Sequence, residues 1–395
     1  MASLLLAVIY LSYISLGLPD SLLGAAWPAM QPQLWVPVSY AGILSMIVSC
    51  GTVISSLLSG RLLRRFRTGT VSVCSVLLTA AALAGFSCAG SFPVLCCFAV
   101  PYGLGAGAVD AALNHYAAVH YPARHLNWLH SFWGIGCMLS PYIISIRMHT
   151  GWQSGFRTVA VLQIILTAIL FLSLPLWQKT EPEQASSVNP LPLLKQKSIC
   201  CSLCGFFSEC ALESTAGLWA SSFLVRYCGI SAKTAAGAGA LFYCGITLGR
   251  LAAGLIPERV SDRRMIRAGL CISAAGILLL ILPSPCALCG LFVIGCGCAP
   301  VYPCRLHALP EQFPDADPQT LIGLHIAGSS LGMTLMPPLF GMLAEQTGFR
   351  IFPAYLLCFL IITAFTGKFP TGSQRRITHD RNRPAHTPGI SDRGL

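Results

Sequence analysis

Residues 178–197 read QKTEPEQASSVNPLPLLKQK, a run dominated by charge, Pro and Ser. On both sides of it the composition reverses. Six apolar stretches precede it, at about 2–24, 38–59, 70–90, 92–118, 127–147 and 156–177. Six follow, at about 198–224, 234–256, 265–283, 285–309, 319–343 and 350–369. Each is long enough to cross a ~30 Å hydrocarbon core as a helix. A helix satisfies its own backbone in lipid, so the pattern predicts an all-α polytopic membrane protein of twelve transmembrane helices. The short alternating strands of a membrane barrel are absent from the pattern. The predicted organisation is an N-terminal six-helix bundle over 1–177, a cytoplasmic linker over 178–197 and a C-terminal six-helix bundle over 198–369. A polar tail over 370–395 has the composition of a disordered segment.

Composition agrees. Hydrophobic residues make up 54% of the 395 and charged residues 10%, where a soluble domain carries roughly 25% charge. Mean hydropathy is +0.68. The first span lacks the basic n-region and A-x-A site of a cleavable signal. With both termini on one side of the membrane, 19 of the 25 Lys and Arg fall on that side or in the tail. Five fall opposite, at Arg147, Arg157, Arg226, Lys233 and Arg350, and Arg250 lies inside a span. The positive-inside rule then places both termini in the cytoplasm, with the plasma (inner) membrane as the expected location. The net charge of +11 is mostly this asymmetry, and no soluble basic face exists to bind nucleic acid.

Nineteen cysteines raise the question of metal. Cys200, Cys201 and Cys204 form one cluster, and Cys286, Cys289, Cys296 and Cys298 another. Neither has the paired knuckles or adjacent His that zinc requires, and Cys in an apolar span behaves as a small hydrophobe. The run GLGAG (103–107) is not a phosphate cradle, because no strand precedes it and no Lys-Ser/Thr follows. No cofactor, metal or enzymatic activity is expected. Without an ATP site, the energy source is an ion gradient or the solute itself.

The two halves repeat. Span 1 carries D20-S21-x-x-G24 with Trp27, and span 7 carries E213-S214-x-x-G217 with Trp219. The loop GRLLRRFRTG (60–69) follows span 2, and GLIPERVSDRRMIR (254–267) follows span 8. GLGAG in span 4 corresponds to GCGCAP (295–300) in span 10, both small-residue surfaces that let helices approach. Leu129-His130 and GCMLSP (136–141) of span 5 correspond to Leu324-His325 and GMTLMP (332–337) of span 11. Two parallel six-helix halves related by an axis along the membrane normal is a transporter layout.

Four acids lie within spans: Asp20, Asp110, Glu209 and Glu213. A charge at the bilayer centre costs roughly 2.5 kcal/mol or more, so such residues face the bundle interior or a wet cavity and mark ion pathways. Burial favours the neutral form of a carboxyl, and a group poised this way can load a proton on one side and release it on the other. Pro19 frees a backbone carbonyl one turn earlier, beside Asp20. Asn114 follows Asp110 by one turn on the same face. His130 can relay between carboxylates and water, and Trp133 offers an aromatic face. Each has a structural alternative: Asp20 and Asp110 as hydrogen-bonded acids that pin helices, His130 as a helix cap, Trp133 as packing. On the other half Glu213, His325, Tyr243 and Tyr302 are candidates for the second cavity wall, with Glu209 a partner of Glu213 or a span-end charge. Arg250 is expected to anchor the inner gate or the basic loop.

This 6+6 plan, with basic loops after spans 2 and 8, resembles the major facilitator superfamily over nearly the whole chain. That superfamily's loop has Gly-x-Leu-x-Asp-Arg-x-Gly. Here Gly60, Arg61 and Arg65 keep the glycine and basic character, but Arg64 stands where the Asp is expected, which weakens the usual interhelix lock. LPDSLLGAAWP (18–28), GLGAGAVDAALNHY (103–116) and NWLHSFWGIG (127–136) look like the fucose permease branch of sugar–proton symporters. The resemblance implies that Asp110 carries the transported proton, where that branch has Glu. It implies that Asp20 recognises sugar and that Asn114 matches a family Asn. His130 and Trp133 stand where the permease has Gln and Asn, so the resemblance does not fix fucose as the solute.

The expected function is proton-coupled symport of a monosaccharide or similar polyhydroxylated solute, by a monomer in a lipid bilayer. Asp110, Asp20 and His130 are the proton-coupling candidates. Asp20, Asn114, His130, Trp133, Glu213, His325, Tyr243 and Tyr302 are the solute-binding candidates, and Arg61, Arg64, Arg65 and Arg250 the gating ones. A proton-antiport exporter of drugs or metabolites is the alternative, and a non-transporting membrane receptor a third.

Overall fold

A computed structural model describes residues 2–121, 123–178, 191–255 and 260–366. The linker residues 179–190, Arg259 and the tail lie outside the described residues. In the first half, α1 (Ala2–Asp20) and α2 (Leu22–Leu34) make up span 1. They are followed by α3 (Tyr40–Arg65), α4 (Thr68–Cys88), α5 (Phe92–His120), α6 (Ala123–Arg147) and α7 (Trp152–Ser173). The second half has α8 (Lys197–Arg226), α9 (Ala232–Leu255) and α10 (Asp262–Leu279). Span 10 divides into α11 (Ser284–Cys298) and α12 (Val301–Gln312), and α13 (Pro318–Thr347) and α14 (Phe352–Thr366) complete the fold. Among the described residues every regular element is helical.

Ten of these spans are long and apolar enough to cross a membrane. The other two are α8, which carries Glu209 and Glu213, and α10, which opens on Asp262-Arg263-Arg264. The first span extends about ten residues beyond the expected boundary. The chain breaks at Ser21 and then restarts as α2, which holds Pro28 and Pro32 and runs to Trp35, a residue in the left-handed region at φ 54°. Trp27 fixes this outer segment: it is fully buried, and its Nε1 donates to the Val38 carbonyl at 2.9 Å.

Pro19 cannot donate to the carbonyl of Ser15, its i−4 neighbour. Gln163, buried on α7, takes over that role. Its Nε2 donates to the Ser15 carbonyl at 2.7 Å, and its Oε1 accepts from the Ser15 hydroxyl. The break that follows is tied to α6, where Ser21 Oγ donates to the Cys137 carbonyl at 2.7 Å and meets Ser140 Oγ at 2.6 Å.

Lipid tails are as apolar as leucine, so close packing rather than water exclusion joins membrane helices. The GLGAG run does this for α5. Gly103 lies against Val48 and Gly51 of α3, and Gly105 against Ser75 and Thr79 of α4. GCGCAP acts likewise, with Gly295 against Gly245 of α9 and Gly297 against Ser273 of α10.

Between the halves, α3 packs on α13 and α6 on α9, two contacts that the sixfold offset in span number interconverts. On the axis α2 meets α8 through the repeated glycines. A methyl on Gly24 would stand 2.7 Å from the Leu218 carbonyl oxygen and 2.9 Å from that of Gly217. Farther out, Ser39 donates to Glu345 at 2.5 Å and Arg226 to Gln31 at 2.7 Å. These contacts close the end of the molecule away from the termini.

Candidate functional site

Beneath this seal a chain of contacts crosses five helices. Asp20, at the end of α1, accepts from Tyr102 Oη of α5 at 3.2 Å and from Trp133 Nε1 of α6 at 2.8 Å. The Arg250 guanidinium of α9 lies over the Trp133 ring, 5.3 Å from its centroid. Arg250 Nη2 stands 3.5 Å from Glu213 Oε1 of α8, with both side chains about a fifth exposed, 19% and 20%. Asp20 is exposed although it lies deep in its span. Its two hydrogen-bond partners belong to the first half, and Tyr243 and Arg250 of the second half stand beside this cluster, so Asp20 is exposed at the boundary between the halves.

A second group sits beside it. Asn114 Nδ2 donates to Asp110 Oδ1 at 2.9 Å, one turn apart on α5 as the spacing predicts. Asp110 and Asp20 are close enough for their charges to repel. Tyr13, fully buried, lies against Asp110 and Asn114 and meets the edge of the His130 ring at 5.9 Å. His130 is exposed in the hollow and feels the Arg250 charge. Among the described residues it makes no hydrogen bond to either carboxylate.

The second wall differs in part from expectation. Tyr243 is half-buried, its hydroxyl lodged against Gly217, and Tyr302 packs edge-on against Phe206 at 5.6 Å. His325 does not line the hollow. It is fully buried, with Nδ1 2.8 Å from the Leu321 carbonyl of its own helix, Nε2 3.0 Å from Ser202 Oγ of α8 and its ring against Phe206, so both ring nitrogens are occupied inside the second half. Arg250 belongs to the central layer rather than to the basic loop, because Glu213 and Trp133 hold it there. Arg305, expected among the loop charges, is buried in α12. Arg61, Arg64 and Arg65 are exposed at the end of α3, and Arg65 packs on its neighbour Phe66. Sequence reasoning missed Tyr102, Gln163 and Arg305. Gln163 had a signal, an amide inside an otherwise apolar span; Tyr102 had none beyond its place beside GLGAG.

A connected layer of charged and aromatic groups thus lies inside a fold of long apolar helices. Residues 9–208 and 201–389 match the Major Facilitator Superfamily, one match for each half, and the chain belongs to that superfamily. The uncharacterized transporter y4wD of Sinorhizobium fredii (strain NBRC 101917 / NGR234) is 25% identical over 350 residues, covering 86% of this chain and 89% of that protein. The crystal structure of the nucleoside transporter NupG matches with a TM-score of 0.76 at 14% identity, covering 92% of this chain and 98% of that one. A D-xylose–proton symporter matches at 0.75 and 15% identity, covering 93% and 98%. At such identities the structural likeness is one of fold.

Proposed function

We propose that this protein is a secondary active transporter that moves a monosaccharide or a similar polyhydroxylated solute together with protons. The observation that carries the reading is the contact chain Tyr102–Asp20–Trp133–Arg250–Glu213, which puts acceptors, donors and an aromatic face across both halves of one hollow. A polyol needs that mixture, with carboxylates accepting from hydroxyls, Arg and Trp donating, and a ring face for the C–H side. Glu213, Tyr243 and Tyr302 serve as the second wall. The solved structures of a D-xylose–proton symporter and a nucleoside transporter, whose solutes both carry a sugar ring, support the same class. LPDSLLGAAWP and GLGAGAVDAALNHY support a place near the fucose permease branch.

Asp110 is the proton carrier in this reading, steadied by Asn114, with His130 as a relay to water. Protonating Asp110 removes a half-buried charge, and a solute that prefers the protonated state couples the two movements. The bundles 1–177 and 198–369 rock about the site, with Arg61, Arg64 and Arg65 gating the open end. The protein sits in the plasma membrane with both termini in the cytoplasm, so the conformation described above faces inward.

The test uses the purified protein in proteoliposomes. Sugars added outside are expected to alkalinise the external medium, and Asp110→Asn is expected to abolish this. Thermal stabilisation by sugars is expected to disappear in Asp20→Asn. Stabilisation by lipophilic cations alone would overturn the reading in favour of an exporter.

A further inference from the structure

The contact chain leaves a second buried acid unused. Glu209 lies on the same face of α8 as Gly205 and Glu213, four residues from each. It is 1% exposed, and its Oε1 is enclosed with no hydrogen-bond partner. The nearby cation is Arg305 of α12, itself 5% exposed. Arg305 is engaged elsewhere. Its Nη2 donates to the Thr363 carbonyl of α14 at 2.7 Å, and its guanidinium lies over the Phe206 ring, 5.9 Å from the centroid. Its Nη1 fills the notch left by Gly205, where any Cβ would overlap it, and its Nε is also buried without a partner. Among the described residues the two groups make no ion pair within 4.0 Å, although each feels the other's charge.

An ionised carboxylate enclosed without a partner is strongly disfavoured, and the usual outcome is that it holds a proton. Arg305, at the Gly205 notch one turn along α8 from Glu209, is the nearby cation that can supply the missing charge. The other charged or titratable groups around them do not supply it. Glu213 on the same helix is engaged by Arg250, and Cys210, Cys298 of α11 and Tyr302 of α12 are neutral donors. His325 of α13 has both ring nitrogens occupied.

We propose that Glu209 is a second proton site of the transport cycle, in the half of the molecule opposite Asp110, which exchanges its proton for an ion pair with Arg305. The step balances. The Glu209 O–H bond breaks, the proton passes to water in the hollow, and the carboxylate takes the guanidinium, which stays protonated. The Thr363 carbonyl loses its donor. The inference rests on the proton-coupled reading above and adds a site that the repeated Asp20 and Glu213 do not supply.

The experiment is infrared difference spectroscopy of the full-length protein, following the protonated-carboxyl stretch through a pH titration of wild type, Glu209→Gln and Arg305→Met. Glu209→Gln is close in shape to the protonated acid and preserves the packing. It is expected to lose one carboxyl band present in wild type. A spectrum that superimposes on wild type at every pH would overturn the proposal. Arg305→Met is expected to keep that band to a pH at which wild type has lost it, and Arg305→Gln, which also removes the charge, serves if methionine does not fold. A titration unchanged in both removes Arg305 as the exchange partner and overturns the exchange. In proteoliposomes the ratio of protons to solute is expected to fall twofold in Glu209→Gln, and an unchanged ratio counts against the site. If wild type moves no protons with any sugar, the functional reading fails while the infrared band still reports on Glu209.

Discussion

Gln163 replaces the backbone donor that Pro19 removes from Ser15: its buried amide meets the Ser15 carbonyl at 2.7 Å. A proline one residue before an acid inside the span therefore leaves no orphaned carbonyl. Gln163→Leu should leave that carbonyl buried and unpaired, at a cost of about 1–3 kcal/mol of stability. Pro19→Ala restores the natural donor. In that background Gln163→Leu should cost less, with a coupling of at least about 0.5 kcal/mol in a double-mutant cycle. Chemical unfolding in detergent measures all four proteins, and strict additivity would refute the relationship.

Trp133 donates to Asp20 and also lies under Arg250. Trp133→Phe keeps the ring and removes the donor. A hydrogen bond to a charged group is worth about 1.5–3 kcal/mol, so solute affinity should fall roughly ten- to a hundredfold. Titration calorimetry with the solute found by thermal screening reads this. Tyr102→Phe, which removes the longer of the two bonds to Asp20, should have the smaller effect.

The Glu213–Arg250 pair is partly buried, and removing one partner leaves the other charge uncompensated. Glu213→Gln should destabilise the protein by about 1–3 kcal/mol, less than the loss from a fully enclosed pair. Neutralising both residues should recover part of that loss. Thermal unfolding of the single and double variants decides it: a double variant no better than the worse single one would show that the pair carries no electrostatic coupling.

At the closed end, Gly24 meets the Gly217–Leu218 backbone with no room for a side chain. Gly24→Val should wedge α2 from α8. Hydrogen exchange followed by mass spectrometry should speed up at least tenfold at the ends of α2 and α8 that form the seal, and stay unchanged in α4. Unaltered exchange there would mean that the seal tolerates the added volume.

Much of this was readable in the chain. Apolar length located the spans, and the Asp20/Glu213 repeat placed Gly24 and Gly217 at related positions. The sequence did not reveal that these two glycines touch, because a repeat reports equivalence and not contact. Asp20, Asp110 and Asn114 were visible because a charge or amide in an apolar span is conspicuous. His325 was misplaced for the same reason: the repeat matched it to His130, yet Ser202 and the Leu321 carbonyl satisfy it inside the protein. Arg250 was expected at the inner gate or the basic loop, and Arg305 among the cytoplasmic loop charges. Partners on other helices, Glu213 and the Thr363 carbonyl, hold them inward, and no local pattern encodes those partners.

The approach of Gly24 to Gly217 also bears on speed. Where backbone rests on backbone there is no rotamer to flip, so picosecond-to-nanosecond side-chain motion cannot admit solute past that point. Passage there requires whole helices to shear apart, a collective event of microseconds to milliseconds. Turnover should therefore respond to bilayer thickness and lateral pressure, since the surrounding lipid must yield each time the bundles part.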